Sequence, residues 1–390
     1  MKVVIVGAGV AGLRTAMLLQ RLGVSVSVIE ARSRVGGRLC TVPVDGGFYE
    51  AGGEWIDADH FRVLSLLDEL GLEAERQEGR RSYFFDGMLS EGLWQQAEEA
   101  NARLKSAGRV GGSLGCLLDS VATDERTRRY LEAVALSDEG TDSRNVDLAE
   151  WLRFSRQYEG RGDENEEMSA YRFAGGASRM CEAMALGIEV VLGEELVAVE
   201  AGPTLVFASG RREACDACVL TLPPPCLSRI SGTPNVAEPY YMSETCKVAL
   251  QYSSDGFGAC SSLLSDLPVQ QVWSGGRDGA HVLTCYVNGS GRARLLAESD
   301  PVQVARECVE PLCGGPRSFI SGRIHDWVED PFAGGGFPYL PVGEVKPSVP
   351  RGGPVWYAGD WAAEWTGFIE GALESAENAV EEMRNEYSLS

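Results

Sequence analysis

The stretch that most constrains this chain is its first 30 residues, MKVVIVGAGVAGLRTAMLLQRLGVSVSVIE. Val3 to Val6 is an unbroken apolar run, the pattern of a parallel strand covered on both faces. Gly7, Gly9 and Gly12 form G-x-G-x-x-G where that strand has to become a helix. Gly7 permits the sharp turn, Gly9 lets the backbone approach a pyrophosphate, and Gly12 lets the helix pack close on the strand. Val10 and Ala11 lie on the same turn, at a helix N-terminus that offers N–H donors and a positive dipole end to phosphates. A second apolar strand, Val24 to Ile29, ends in Glu30, 18 residues past the last glycine. An acid is expected roughly 20 residues on, at the ribose hydroxyls, and it favours FAD or NAD over NADP.

The 390 residues suffice for two or three units with sizeable cores. A net charge of −22 argues against nucleic acid and anionic membrane surfaces as partners. It fits a solvated acidic surface and is compatible with a cationic substrate. The 11 cysteines show no spacing of a secreted disulfide framework. Cys215 and Cys218 form C-x-x-C, but no second pair follows at zinc-ribbon spacing, so they read as two ordinary thiols beside a strand. The cofactor strand starts at residue 2, leaving no room for a signal peptide, and no apolar run is long enough to span a membrane. The expected location is the cytoplasm.

Further along, Gly36 and Gly37 beside Arg38 read as a second phosphate-contacting loop. Gly46-Gly47 reads as a turn between short strands, and Gly52-Gly53 as bare backbone for a flat ligand. Asp59 to Leu70 has helical spacing with a cap at its start. Residues 91–170 read as largely helical, with EEANARLKSA and DERTRRYLEAVALS the clearer helices and GRGDENEE a polar loop. Tyr171 to Met184 resumes order through a Gly-Gly pair, and Ile188 to Leu192, Leu196 to Val199 and Met242 to Tyr252 read as strands. Ala217 to Pro225, ACVLTLPPP, reads as a strand ending in three prolines, and Asp300 to Val309 as a helix. A last strand ends at Ala358, after which Thr366 can cap a long helix from Gly367. By its own residues, Lys247 is an exposed strand lysine.

VIVGAGVAGL, Glu30, VGGRL and EAGGEWID together resemble the flavin-containing amine oxidase family, the relatives of monoamine and polyamine oxidases. The resemblance is specific at both ends of the chain, partial in its middle, and absent from residues 80 to 170. It implies an α/β fold: a Rossmann-like FAD-binding domain from residues 1–78, 171–239 and 335–390. An α+β substrate domain, 79–170 and 240–334, would be inserted, with 91–170 its helical segment. Glu30, with Ala31 and Arg32 behind it, would hold the adenosine ribose, and Leu196 would lie near adenine. Gly37 and Arg38 would meet the diphosphate. Gly52, Gly53, Glu54 and Trp55 would run along the isoalloxazine ring. Gly359 and Asp360 would sit by the ribityl chain, and Gly367, Phe368 and Ile369 would start a helix beneath the flavin. The family places a lysine at Lys247, where it holds a water against flavin N5. Some relatives bond flavin through a cysteine where this chain has Gly336, so noncovalent FAD is expected.

The implied reaction is oxidation of a C–H beside an amine nitrogen, with hydride passing to flavin N5 and dioxygen reduced to peroxide. Phe337 and Phe368 would wall the amine site as an aromatic sandwich, both lacking the tyrosine hydroxyl common in relatives. Trp273 is a further candidate wall. Asp57 matches an acid that plant polyamine oxidases set against a second ammonium, and it also reads as a helix cap before His60. No metal is expected. Three other readings stay open: an L-amino acid oxidase, in which Arg172 would fold in to clamp a carboxylate; a flavin desaturase or protoporphyrinogen-type oxidase; and a catalytically silent flavin-binding protein.

Overall fold

The computed structural model describes residues 1–77, 81–90, 102, 111–122, 124–157, 170–234, 236–314, 317–350 and 352–389. Its centre is a five-stranded, wholly parallel sheet. The strand order is Glu189–Leu192, Ser25–Glu30, Lys2–Val6, Ala217–Leu220 and Val355–Tyr357. The first strand is covered on both faces: Val3 and Ile5 enter one apolar core, Val4 and Val6 another. Each fully buried aliphatic side chain of this kind contributes about 1.5–3 kcal/mol. Helix Val10–Arg21 packs on one face beside the C-terminal helix Ile369–Tyr387. The expected Rossmann-like α/β unit is present.

A second sheet of seven strands stands beside it, ordered Phe319–Asp326, Thr245–Tyr252, Val282–Asn288, Gln271–Ser274, Ser262–Ser265, Ser82–Phe85 and Met88–Ser90. Its pairings are antiparallel except that of Ser262–Ser265 with Ser82–Phe85. Lys247 lies on the second of these strands, between Tyr286 and His325 on its two neighbours. A small antiparallel sheet places Ala170–Phe173 between Trp55–Asp57 and Ala74–Arg76. Helices Leu114–Val121, Glu125–Glu139 and Leu148–Gln157 bear out the helical reading of the segment after residue 110. EEANARLKSA and GRGDENEE lie almost wholly or wholly outside the described residues.

Some local expectations are corrected. The helix foreseen from Asp59 runs Phe61–Glu69, and neither Asp57 nor Asp59 caps it. Its first N–H groups are taken by the buried carboxylate of Glu370, which accepts from Arg62 N at 3.0 Å and Val63 N at 3.1 Å. Thr366 does not cap the last helix. Its hydroxyl donates to Ala363 O at 2.9 Å, and the helix begins at Ile369 with Phe368 in the cap position. The prolines at 223–225 stop one strand and also open the short helix Pro224–Leu227, where a missing N–H costs nothing. Cys215 and Cys218 are buried free thiols. Among the described residues no helix is long and apolar enough to cross a membrane.

Candidate active site

One cavity of about 850 Å3 joins the parallel sheet to the seven-stranded sheet. Every site residue expected from sequence lines it, except Gly12. Gly12 serves the turn instead, for a Cβ there would overlap the carbonyl oxygen of Gly7. Gly9 is the opposite case. Its backbone is extended, with φ −75° and ψ −179°, and a Cβ on it would meet no protein atom within 4 Å. It faces open cavity, as close approach of a phosphate requires. No side chain caps the helix that follows, nor the helix starting at Ile369, so both uncapped N-termini face the cavity.

At this end Glu30 accepts from Ala8 N at 2.7 Å and Arg32 N at 2.8 Å, one bond to each oxygen. The second lone pair of each oxygen is available to a hydroxyl. Arg32 is held by both oxygens of Asp330. Leu196 lines the wall, as do Arg229 and Ile230. Arg38 makes a bidentate pair with Asp360, at 2.7 and 2.8 Å, and donates to Gly336 O at 3.0 Å. The glycine pair needs a correction. Gly52 and Gly53 line the cavity, but their missing side chains face protein: a Cβ on Gly52 would overlap Arg38 O, and one on Gly53 would crowd Leu39.

At the other end Lys247 is 5% exposed. Its ammonium donates to Gly52 O at 2.7 Å, Glu50 O at 3.3 Å and Glu54 Oε2 at 2.8 Å. Trp273 Nε1 donates to the other Glu54 oxygen at 3.0 Å, and Arg172 Nε lies 3.3 Å from it. Arg172 stacks 4.0 Å over Trp55, donates to Ser274 O, and does not line the cavity. Burial alone would raise the Glu54 carboxyl, but Lys247 and Arg172 outweigh it and hold it below the usual range. Burial pushes the neighbouring Glu50 up to about 7, against the Ala177 N–H that it accepts. His325, beside Lys247 and hydrogen-bonded to the Tyr49 hydroxyl at 2.8 Å, is pulled down to about 4 by burial and by the lysine charge.

Phe337 packs against Gly367, and Phe368 meets His60 and Trp365 edge-on at 5.4 and 5.8 Å. Asp57 lines the cavity with its carboxyl raised by burial and drawn back by His60. Sequence reading missed two further acids on this wall, Asp138 and Glu139, at the end of helix Glu125–Glu139. Asp138 exposes its surface to the cavity yet is enclosed by protein, and burial lifts it to about 6. Glu139 rises to about 8, from burial first and then from Asp138 and Glu150. The available signal was two consecutive acids at a helix C-terminus, where the dipole disfavours them.

A sequence model of flavin-containing amine oxidoreductases matches residues 10–177 and 161–384. The chain belongs to that family. Among its relatives, a putrescine oxidase of Kocuria rosea is 52% identical over 83 residues, 21% of this chain and 17% of that protein. A putative flavin-containing monoamine oxidase of Mycobacterium tuberculosis, AofH, is 27% identical over 98% of this chain and 96% of its own. The solved structure of a putrescine oxidase bound to putrescine superposes with a TM-score of 0.85 at 21% identity, covering 99% of both chains. The family is FAD-dependent, and the cavity fits that group. It offers an open glycine face, a bare helix N-terminus and an acid with free lone pairs at one end, and at the other a second bare helix N-terminus beside a wall of aromatic side chains.

Proposed function

We propose that this chain is an FAD-dependent amine oxidase that oxidises the C–H next to an amine nitrogen, with dioxygen as acceptor and an imine and hydrogen peroxide as products. The imine hydrolyses to a carbonyl compound. The observation that carries the reading is the single cavity running from Gly9 and Glu30 to Lys247, Phe337 and Phe368. Its lining passes from a phosphate-type glycine turn to an aromatic end, the order that a dinucleotide followed by a small organic substrate requires. When bound, FAD supplies the two-electron chemistry.

The chain supplies placement. The division into a cofactor unit, 1–78, 171–239 and 335–390, and a substrate unit, 79–170 and 240–334, is the functional one. Glu30 holds the ribose, the Gly9 turn and the Gly37–Arg38 loop hold the diphosphate, and Gly359–Asp360 meets the ribityl chain. Phe337 and Phe368 set the amine between two apolar faces and exclude water from the reacting carbon. Lys247 stands at the ring. Asp57 and Asp138 line the substrate end and favour an amine that carries a second positive charge, and Glu139 beside them, protonated at neutral pH in the free site, would ionise against such a charge; putrescine, the ligand of the solved relative, is the first compound to try.

An amino acid oxidase is disfavoured by the place of Arg172. It is committed to Glu54, Trp55 and Ser274 and lies outside the cavity lining, so it does not clamp a substrate carboxylate. The test is a peroxide-coupled screen of monoamines, diamines, polyamines and amino acids with the FAD-loaded protein. Turnover greatest on diamines supports the reading. Turnover on amino acids alone, or on none of these, overturns it.

A further inference from the structure

We propose that Glu54 is a positioning residue for the reaction, the built-in counterion that fixes the charge and direction of Lys247 against the flavin. An ammonium has three donors. All three donors of Lys247 have protein acceptors within hydrogen-bond distance: Gly52 O, Glu50 O and Glu54 Oε2. Only the last is a charged group, since Gly52 O and Glu50 O are main-chain carbonyls. Both Glu54 oxygens are engaged, and the residue is 3% exposed. The carboxylate therefore aims the lysine and, through Trp273 Nε1, fixes the wall beside it. Glu54 is flanked by Arg172 on the far side, so removing its charge leaves two cations facing each other across the gap. The other groups that face Lys247 are Tyr286 and His325, on the strands to either side, and Tyr49 beyond His325; His325 is held neutral. Glu54 is thus the one full negative charge among the described residues bonded to this lysine. A water between Lys247 and the ring needs one of the three bonds to open, and the longest, to Glu50 O, is the first to yield.

The proposal rests on the reading that Lys247 faces the flavin ring, and the test separates the two. The reduction potential of bound FAD is measured by dye-coupled titration in the parent, Glu54→Gln, Lys247→Met and the double variant, beside steady-state kinetics. Added positive charge near the ring favours the reduced form. Glu54→Gln is expected to shift the potential upward, Lys247→Met downward, and the double variant to return close to the parent. In Glu54→Gln, kcat is expected to fall at least tenfold with KM within about twofold of the parent. A purely structural Glu54 would not give shifts of opposite sign that cancel.

Glu54→Asp keeps the charge but is too short to reach both Lys247 and Trp273. It should hold the parent potential while losing turnover, and it serves if the glutamine variant does not fold. A potential unmoved by Lys247→Met overturns the placement of the lysine, and the proposal with it. A potential that moves in Lys247→Met but not in Glu54→Gln overturns the proposal alone. So does parental turnover in Glu54→Asp.

Discussion

Arg38 and Asp360 lie 322 positions apart and close on each other through two parallel hydrogen bonds of 2.7 and 2.8 Å. This pair ties the loop after the second parallel-sheet strand to the loop after the last one, and both residues line the cavity. A bidentate guanidinium–carboxylate pair fixes direction as well as charge. Asp360→Asn keeps the size but loses the charge, leaving Arg38 to find another partner. Breaking a buried pair costs about 3–5 kcal/mol; with Arg38 partly open to the cavity, about 2 kcal/mol is expected here. Thermal unfolding of the FAD-free protein checks it. FAD affinity, by fluorescence titration, should fall about tenfold, or 1.4 kcal/mol. Unchanged affinity would detach this pair from the cofactor.

Gly9 and Gly52 separate cofactor contact from internal packing. Gly9 has backbone angles that any residue adopts and open space at its Cβ, so Gly9→Ala should leave the FAD-free stability within about 0.5 kcal/mol. The added methyl would stand where the diphosphate approaches, and FAD affinity should drop at least tenfold. Gly52→Ala should do the reverse. Its Cβ overlaps the Arg38 carbonyl, which no side-chain rotation relieves, so the FAD-free protein itself should lose about 2–3 kcal/mol or fail to fold. Equal melting temperatures for the two variants would refute the assignment.

The same contrast shows what a sequence displays and what it hides. The strand–turn–helix at residues 2–21 was legible because its constraints are local: Gly7 answers to its own turn at φ +103°, Gly12 to the Gly7 carbonyl, and Gly9 to the ligand. Lys247 was placed only by resemblance, because a lone basic residue in an apolar strand has no local feature that distinguishes a buried lysine from an exposed one. Its counterion was hidden because Glu54, Arg172 and Trp273 come from three separate segments, and no periodicity brings them together. The cap of helix Phe61–Glu69 was misread for the same reason. Asp59 and Asp57 look like caps in the one-dimensional pattern, yet Glu370 reaches in from the other end of the chain with a better-placed carboxylate. Asp138 and Glu139 carried a local signal, acids against a helix dipole, that helical pattern alone does not weigh.

Gly336 bears on how the flavin is held. It has no side chain, and a Cβ there would lie 2.7 Å from both Ser243 Oγ and Thr245 Oγ1. Acid precipitation of the yellow protein should leave the chromophore in the supernatant. Gly336→Cys should not create a covalent link. It should instead cost about 1–3 kcal/mol of stability by overpacking against Ser243 and Thr245. Yellow colour retained in the parent's pellet would refute a noncovalent cofactor.

Stability should fall between pH 6.5 and 8 in the FAD-free protein, and Glu139 should be the main cause. Its folded value, about 8, stands above the ordinary 4.5, so across that interval the native chain holds a proton that the unfolded chain has lost. The contribution is present in full below about 4.5 and gone above about 8. Glu50 behaves alike with its upper limit near 7, and Asp138 between 3.8 and about 6. His325 runs the other way. Its folded value, about 4, lies below the ordinary 6.5, so its contribution is complete above 6.5 and lost as the pH drops toward 4. Working above pH 6.5 removes both His325 and Asp138 from the balance. Glu139 opens onto a wet cavity, which screens it, so the loss over this range should be on the order of 1 kcal/mol, about 2 °C in melting temperature. Glu139→Gln should flatten the profile from pH 7 to 8, while Glu50→Gln should change only the part near pH 7. A parent melting temperature that rises from pH 6.5 to 8 would mean that Glu139 is already ionised, its charge met by a cation.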